Sequence, residues 1–156
     1  MKTIVTPSEV LSLAFGTTHT LEEGAVPPHA ILSAEESYLL PALGEELYKA
    51  LKADGDDEVL QNLALEYLKQ PLALYVASRL LPTLAVRFGS AGVVRLAGES
   101  FEVVDDATLH RAVVRMRADA DRLLARATSH LASHPELYPS YNPAQRLHRI
   151  VGGVVI

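Results

Sequence analysis

Two histidines on one predicted helix, His130 and His134, are the residues of this chain best placed to bind a metal ion. A spacing of four residues puts both imidazoles on the same helix face, as in zinc enzymes. The residues between them include no glutamate that could act as a general base, and the other histidines supply no third ligand at a recognisable spacing. A histidine in the last turn of a helix also interacts favourably with free carbonyl groups. We therefore expect no bound metal.

Two other groups of residues could suggest chemistry. Three aspartates surround Gly55, but the twelve-residue calcium loop with its closing glutamate is absent. Ser90 lies near two glycines at the start of a predicted hairpin, and not on the strand-to-helix turn of a nucleophile elbow. The sequence has no phosphate-binding glycine loop and no dinucleotide fingerprint. We predict no catalytic residue and no cofactor, and hence a protein that is not an enzyme.

The composition is that of one globular domain. The chain has 156 residues, 49% hydrophobic and 21% charged, with a formal net charge of −5 and no cysteine. The negative charge argues against binding to nucleic acid through phosphates, and the missing cysteines exclude disulfides and thiolate metal sites. No apolar signal-peptide core follows Met1, so export is not expected. The longest apolar stretch, 71–88, is interrupted by two arginines and a proline, so we expect no membrane span.

Helical spacing of apolar residues predicts an all-α bundle of about five helices within residues 1–134. Thr6 and Glu9 form a capping-box pattern that opens the first helix. The second helix begins after the two prolines at 27–28, and we expect Pro41 to interrupt it. Gly44 marks a stop before a third helix. The fourth follows Glu58 and is apolar on all sides after Pro71, which predicts a central buried helix.

The last predicted helix runs from 105–106 to about His134. It has a narrow apolar seam, formed by Leu109, Val113, Met116, Ala120, Leu123, Ala127 and Leu131. Its opposite face is charged, and the spacing predicts ion pairs from Arg115 to Asp119 and from Arg117 to Asp121. This face is either solvated or part of a subunit interface.

Between the fourth and fifth helices the apolar period changes, which predicts a β-hairpin at about 92–104. Residues 93–96 and 101–104 alternate around a four-residue turn. In this register Leu96 faces Phe101 and Arg95 faces Glu102. A two-stranded hairpin is marginally stable alone, so we expect it to contact the helices or a neighbouring subunit.

Residues 135–156 are predicted to form an extended C-terminal arm. Three prolines alternate with Tyr138 and Tyr141, and the chain ends in Val154, Val155 and Ile156. Proline cannot pair regularly in a sheet, whereas the terminal Val-Val-Ile favours a strand that needs a partner. We expect the arm to dock on another subunit. The alternative is that it folds back onto its own domain.

The stretch from Ile31 to Leu51, ILSAEESYLLPALGEELYKAL, resembles the opening motif of a family of small helical proteins from phages and prophages of Bacteroidetes. The later order of elements is also similar to that family, which is mostly uncharacterised. Its architecture is similar to that of head-completion, or head–tail connector, adaptors of tailed phages, which form a ring below the portal.

The resemblance implies a non-enzymatic virion structural protein that forms a ring of twelve between portal and tail. Its partners would be the portal and neck or tail proteins, with DNA only as passing cargo and no membrane contact. It would assemble in the bacterial cytoplasm and reside in the virion neck. The alternatives are another neck or tail-completion component, a cytoplasmic helical protein-binding module and, third, a small hydrolase or metal enzyme. The predicted interface residues are Val93, Val94, Arg95, Leu96, Phe101, Glu102, Tyr138, Tyr141, Val154, Val155 and Ile156.

Overall fold

The computed structural model describes residues 2–17, 21–53, 56–84, 87–89, 92–94, 105–145, 150–151 and 154–155. Within these residues the chain is mostly helical and contains five helices, which confirms the predicted all-α class. The helices are α1, Pro7–Phe15; α2, Pro28–Ala34 followed by a π-helical turn Glu35–Leu39 and by Leu40–Leu43; α3, Glu45–Lys52; α4, Glu58–Leu63 followed by a π-helical turn Ala64–Leu68 and by Lys69–Leu84; and α5, Asp106–Ser133. Short 3₁₀ turns are formed by Glu23–Ala25 and Pro143–Gln145.

The start of α1 has the predicted capping box. The Thr6 hydroxyl accepts a hydrogen bond from the Glu9 backbone N–H at 3.2 Å, and the Glu9 carboxylate accepts one from the Thr6 N–H at 2.8 Å. Two N–H groups that the helix itself cannot satisfy are thereby bonded. The apolar side of α1 buries Val10 and Leu11.

Pro41, Pro71 and Pro82 lie inside helices, which corrects the prediction that Pro41 interrupts α2. A π-helical turn comes shortly before Pro41 in α2 and before Pro71 in α4. There Leu40 N–H bonds to Glu35 O, and Lys69 N–H bonds to Ala64 O, each five residues back. This wider turn accommodates a ring that would otherwise clash with the preceding turn. The second helix therefore ends where the sequence indicated a stop, at Gly44, whose φ of 82° suits glycine.

The second half of α4 is the centre of the bundle, as its apolar residues predicted. Leu72, Ala73, Tyr75, Val76 and Ala77 are all buried. Tyr75 stacks on Tyr38 of α2, with ring centroids 3.9 Å apart, and its hydroxyl donates to Asp121 of α5 at 2.5 Å. Helices α1, α2 and α5 thus surround α4, and α5 runs antiparallel to it. No helix within the described ranges is long and apolar enough to cross a membrane.

The hairpin predicted at 92–104 is not supported. Strand β1, Arg87–Gly89, pairs antiparallel with β2, Gly92–Val94, so that Phe88 lies opposite Val93. Half of the predicted first strand is therefore present, but it pairs with the preceding residues. A connection of two residues costs less chain entropy to close than a longer one. Residues 95–104, which include Arg95, Leu96, Phe101 and Glu102, lie outside the described residues.

Helix α5 has two different halves. From Ala120 onward its inner side is buried, with Ala120, Leu124, Ala127, Thr128 and Leu131 in the core. From Asp106 to Asp119 each residue is exposed or only half-buried. The predicted seam is therefore present in part: Leu124 is buried where Leu123 was predicted, and the seam residues before Ala120 are only half-buried.

Candidate functional site

Tyr138 and Tyr141 were predicted as interface residues, but the structure places both in the core of their own chain. Their side chains are only 5% and 8% exposed and belong to the main apolar cluster. The backbone forms successive turns, since Tyr138 N–H bonds to His134 O at 3.3 Å and Tyr141 N–H bonds to Tyr138 O at 2.9 Å. Residues 135–141 thus fold back onto the bundle, because burial of two large rings outweighs exposing them in an extended arm.

The residues after α5, called the C-terminal tail below, include a second strand pair. Strand β3, Ile150–Val151, pairs antiparallel with β4, Val154–Val155, so that Val151 lies opposite Val154. The apolar end was predicted to pair with another chain, and Val154 and Val155 instead have a backbone partner in their own chain. Ile156 lies outside the described residues.

A group of aromatic rings, the His130 cluster, holds the tail at the end of α5. It consists of Tyr67, His130, His134 and Tyr138. His130 stacks on Tyr67 with centroids 4.4 Å apart, and its Nε2 lies 3.2 Å from the Tyr138 hydroxyl. His134 Nδ1 is 2.9 Å from the His130 carbonyl oxygen, to which it donates. Burial, followed by the nearby Tyr67 and Glu66 charges, raises the pKa of Tyr138.

The two histidines predicted as the best metal candidates are therefore engaged in other contacts. The Nε2 atom of His130 faces a tyrosine hydroxyl, and Nδ1 of His134 faces a carbonyl oxygen. No group of three metal-binding side chains is found among the described residues. The pair connects the end of α5 to the tail.

A buried carboxylate that the sequence did not single out, Glu35, holds the N-terminal segment. Glu35 is 0% exposed and accepts hydrogen bonds from the Ile4 backbone N–H at 2.7 Å, the Tyr48 hydroxyl at 3.0 Å and Lys52 Nζ at 2.7 Å. We call these four groups the Glu35 cluster. A buried charge is tolerated when it is paired and hydrogen-bonded in this way. Its position on the apolar stripe of α2, four residues after Ile31, was the available sequence signal.

The pKa values of the partners follow from the same contacts. Burial alone would lower the pKa of Lys52, but the bonds to Glu35 and Tyr48 outweigh it and raise that pKa. Burial is also the main reason why the pKa of Tyr48 is raised. Lys52 is thus held in its charged form beside the Glu35 carboxylate.

A second charged contact joins α1 to α4. Lys69 Nζ lies 2.5 Å from Glu9 Oε1, and Gln70 donates to the Leu13 carbonyl oxygen at 3.0 Å. Partial burial works to raise the pKa of Glu9, but the bonds from Lys69 and Thr6 outweigh it, so that this pKa is lowered. The first helix is thereby fixed on the central one.

A groove of about 420 Å³ opens beside the Glu35 cluster. Residues 2–4, the end of α3 and the first half of α4 form its walls. Lys2, Lys52, Lys69 and Asp57 contribute charge to it, and Leu65, whose side chain is 65% exposed, lies among the lining residues. The groove can accept a chain segment or a small polar molecule.

On the charged face of α5, the observed ion pairs differ from the predicted ones. Asp119 binds Arg122 at 3.0 Å, and Asp121 accepts the hydroxyl of Tyr75, so neither predicted pair is present. Asp121 is exposed, and its carboxylate accepts from the hydroxyl of the buried Tyr75. The arginines on this face therefore remain largely without carboxylate partners among the described residues.

Comparison with known proteins gives a family but no activity. The model of a family of unknown function, DUF6712, matches residues 39–149, from the end of the first π-helical turn through α5 and into the tail. No curated protein and no solved structure matches the chain. Because the match spans well over half of the sequence, the chain belongs to the family of unknown function DUF6712.

Proposed function

We propose that this chain is a non-enzymatic virion structural protein, a head–tail connector adaptor that forms a ring between portal and tail. The observation that carries the proposal is the placement of two short strand pairs, 87–94 and 150–155, before and after the longest helix of a packed helical body. Such a protein needs a stiff body and elements that reach its neighbours. The proposal rests on that correspondence and on the resemblance of residues 31–51.

The helical body provides the stiffness. Its buried polar groups are committed to structural contacts: Glu35 has three donors, and the Ser78 and Thr128 hydroxyls donate to backbone carbonyls one turn earlier at 2.8 and 3.0 Å. Satisfied buried groups of this kind favour one conformation. A helical body with one rigid conformation holds the neighbouring subunits of a ring at fixed positions.

The strand pairs provide the contacts. Each pair has two strands in the part of the chain that the structure describes. A two-stranded pair has two outer edges, whose N–H and C=O groups can accept a strand from another chain. Since 135–141 is folded onto the bundle, the portion of the predicted arm that we assign to partner binding is 150–156.

The overall charge suits a ring around DNA. The formal charge of −5 disfavours binding to phosphates, so that a duplex can pass without being held. Partners in this proposal are further copies of the chain, the portal and neck or tail proteins. The protein would assemble in the bacterial cytoplasm and be found in the neck of the virion.

Co-expression with the portal protein of the same genome tests the proposal. We expect a discrete ring by mass determination and electron microscopy, bound to one end of the portal. Deletion of residues 151–156 should weaken this assembly while helical content, measured by circular dichroism, stays near that of the intact chain. A chain that never binds portal or neck proteins would contradict the proposal.

One further variant tests whether residues 95–104 contact a partner. Exchange of Leu96 and Phe101 for serine remains a prediction of weaker partner binding, and these residues lie outside the described ranges. Assembly that is undiminished in this variant would exclude residues 95–104 from the interface. Residues 150–156 would then be the segment to test.

The groove beside the Glu35 cluster favours a second candidate, a helical protein-binding module. Its exposed Leu65 offers a contact for an apolar side chain of a partner segment. Leu65→Ser should abolish binding of such a partner and leave ring formation unchanged. The reverse result, lost rings with no separate partner, would assign the groove to the assembly.

A further inference from the structure

Four arginines form a stripe along the outer face of α5: Arg111, Arg115, Arg122 and Arg126. At 3.6 residues per turn they fall within about 60° of one another and extend over about 22 Å. The buried residues Ala120, Leu124, Ala127 and Leu131 lie on the opposite side of the helix. The arginine stripe therefore lies mostly on the side away from α4, while its last member, Arg126, lies over the Tyr67 ring of α4.

The stripe is open to a partner. All four arginines are exposed, and so are the small residues Ala118 and Ala125 between them and Ser129 just after them. Small side chains allow another surface to approach the guanidinium groups closely. Neighbouring arginines stand about 6 to 10 Å apart along the axis, close to the Debye length of about 8 Å at physiological salt, so their fields add in part.

The arginines of the stripe form few ion pairs with carboxylates among the described residues. Arg122 binds Asp119 in an exposed pair, with side chains 77% and 44% exposed. Arg111 donates to the Thr108 hydroxyl at 3.0 Å, and Arg126 lies over the Tyr67 ring at 5.5 Å. Arg115 forms no ion pair with any residue that the structure describes. Exposed ion pairs such as Arg122–Asp119 are weak, so Arg122 can bind a carboxylate of a partner instead.

The complementary charge is present elsewhere on the same chain. Residues 22–53 contain six carboxylates and two lysines, a formal charge of −4, whereas α5 has five arginines and three aspartates, a formal charge of +2. Exposed carboxylates of this acidic segment include those of Glu22, Glu23, Glu36, Glu45 and Glu46. They lie before and on α2 and α3, and Glu45 is paired with Lys49.

We propose that the arginine stripe of one copy docks on the acidic segment of the next copy. This inference rests on the proposed ring and names the surfaces that build it. Two different surfaces can pair head-to-tail, the arrangement that forms a ring when the rotation between successive copies closes. Each copy offers one stripe and one acidic segment, which lets every stripe be matched within the assembly.

A second copy fits the stripe better than a nucleic acid does. The acidic segment and the net charge of −5 repel a duplex from the whole chain, while they attract the stripe of another copy. Binding to phosphates would use the arginines and leave the acidic segment uncompensated. Binding between copies neutralises both surfaces.

A matched pair of single variants tests the location. Arg115→Glu lies in the stripe, and Arg117→Glu makes the same charge change two residues away but about 200° around the helix. We expect Arg115→Glu to weaken self-association by about tenfold or more and Arg117→Glu to leave it close to the wild type. Sedimentation measures both, at low and at high salt, and the wild-type association should weaken as salt rises. Equal effects of the two variants would overturn the proposed location.

A charge exchange tests the pairing of the two surfaces. Arg115→Glu with Arg122→Glu, and separately Glu36→Lys with Glu46→Lys, should each reduce self-association by about 100-fold. Mixing the two double variants should restore the assembly, because each altered surface then meets its complement in the other protein. Absence of restoration in a mixture of folded variants would overturn the pairing.

The same variants separate this inference from the proposed function. If the arginine variant still forms rings on the portal, the docking is wrong and the connector role stands. If the wild type associates neither with itself nor with the portal, both are wrong. If the arginine variant keeps self-association but loses binding to duplex DNA at low salt, the stripe binds phosphates and the inference is overturned.

Discussion

The two ends of the chain are fixed to the same bundle by different physical means. The N-terminal segment is held by carboxylates: Glu35 accepts the Ile4 N–H at 2.7 Å, and Glu9 binds Lys69 at 2.5 Å. The segment after α5 is held by rings, with Tyr138 and Tyr141 buried and His130 stacked on Tyr67. A buried carboxylate requires every donor to be in place, whereas a ring loses stability in proportion to the surface it no longer covers. Single changes should therefore affect the first contact more abruptly.

Glu35→Ala should give the largest effect. It removes a fully buried charge and leaves the Ile4 N–H, the Tyr48 hydroxyl and Lys52 without their acceptor. We expect the free energy of unfolding to fall by about 3 to 5 kcal/mol, the usual cost of breaking a buried pair. Denaturant unfolding at neutral pH measures it.

Glu36→Ala is the matched control, because Glu36 is the exposed neighbour on the same helical turn. It should change the unfolding free energy by no more than about 0.5 kcal/mol. Similar results for the two variants would mean that the buried contacts of Glu35 do not hold the N-terminal segment.

Tyr138→Ala should come next, with a loss of about 3 kcal/mol from the removal of a ring that is 5% exposed. Tyr138→Phe keeps the ring and loses only the hydroxyl contact to His130, so we expect about 0.5 to 1.5 kcal/mol. Leu137→Ala changes a neighbour whose side chain is 47% exposed and should be nearly neutral. If Tyr138→Ala were also neutral, the tail would not be part of the fold.

Sequence reasoning succeeded where one helical period decides the structure. The capping box at Thr6 and Glu9, the stop at Gly44 and the buried second half of α4 were all predicted, because apolar spacing and capping act locally. The seam of α5 was predicted for the same reason.

Elements that no apolar period marks, and contacts supplied by distant residues, were predicted wrongly or missed. Pro41 did not end α2, since the preceding π-helical turn accommodates it, and β2 paired with the residues before it. The prolines and tyrosines after His134 show neither a helical nor a strand period, so the burial of Tyr138 could not be predicted. Glu35 lies on an apolar stripe, but its donors come from residues 4, 48 and 52.

His130→Ala distinguishes stacking from mere proximity in the His130 cluster. The sequence predicted no bound metal at this residue, and the structure gives it two other contacts. Loss of the Tyr67 stacking and of the Tyr138 contact should cost about 1 to 2 kcal/mol. Thermal unfolding measures it, with the exposed His110→Ala on the same helix as the control. Equal melting temperatures for the two variants would show that the stacking contributes nothing.

Glu9→Gln should have the smallest effect, and its pH dependence identifies the cause. Glutamine can still close the capping box with Thr6, so the change removes only the charge that faces Lys69. The Glu9 side chain is 36% exposed, so solvent screens the pair and we expect about 0.5 to 1 kcal/mol at neutral pH. Because the pKa of Glu9 is lowered from 4.5 in the folded chain, this stability is present above pH 4.5 and is lost as the pH falls through the folded-state value. Unfolding of both proteins between neutral and acidic pH should therefore show two curves that converge on the acid side. A gap that stays constant to the lowest pH would mean that the loss comes from packing of the side chain and not from its charge.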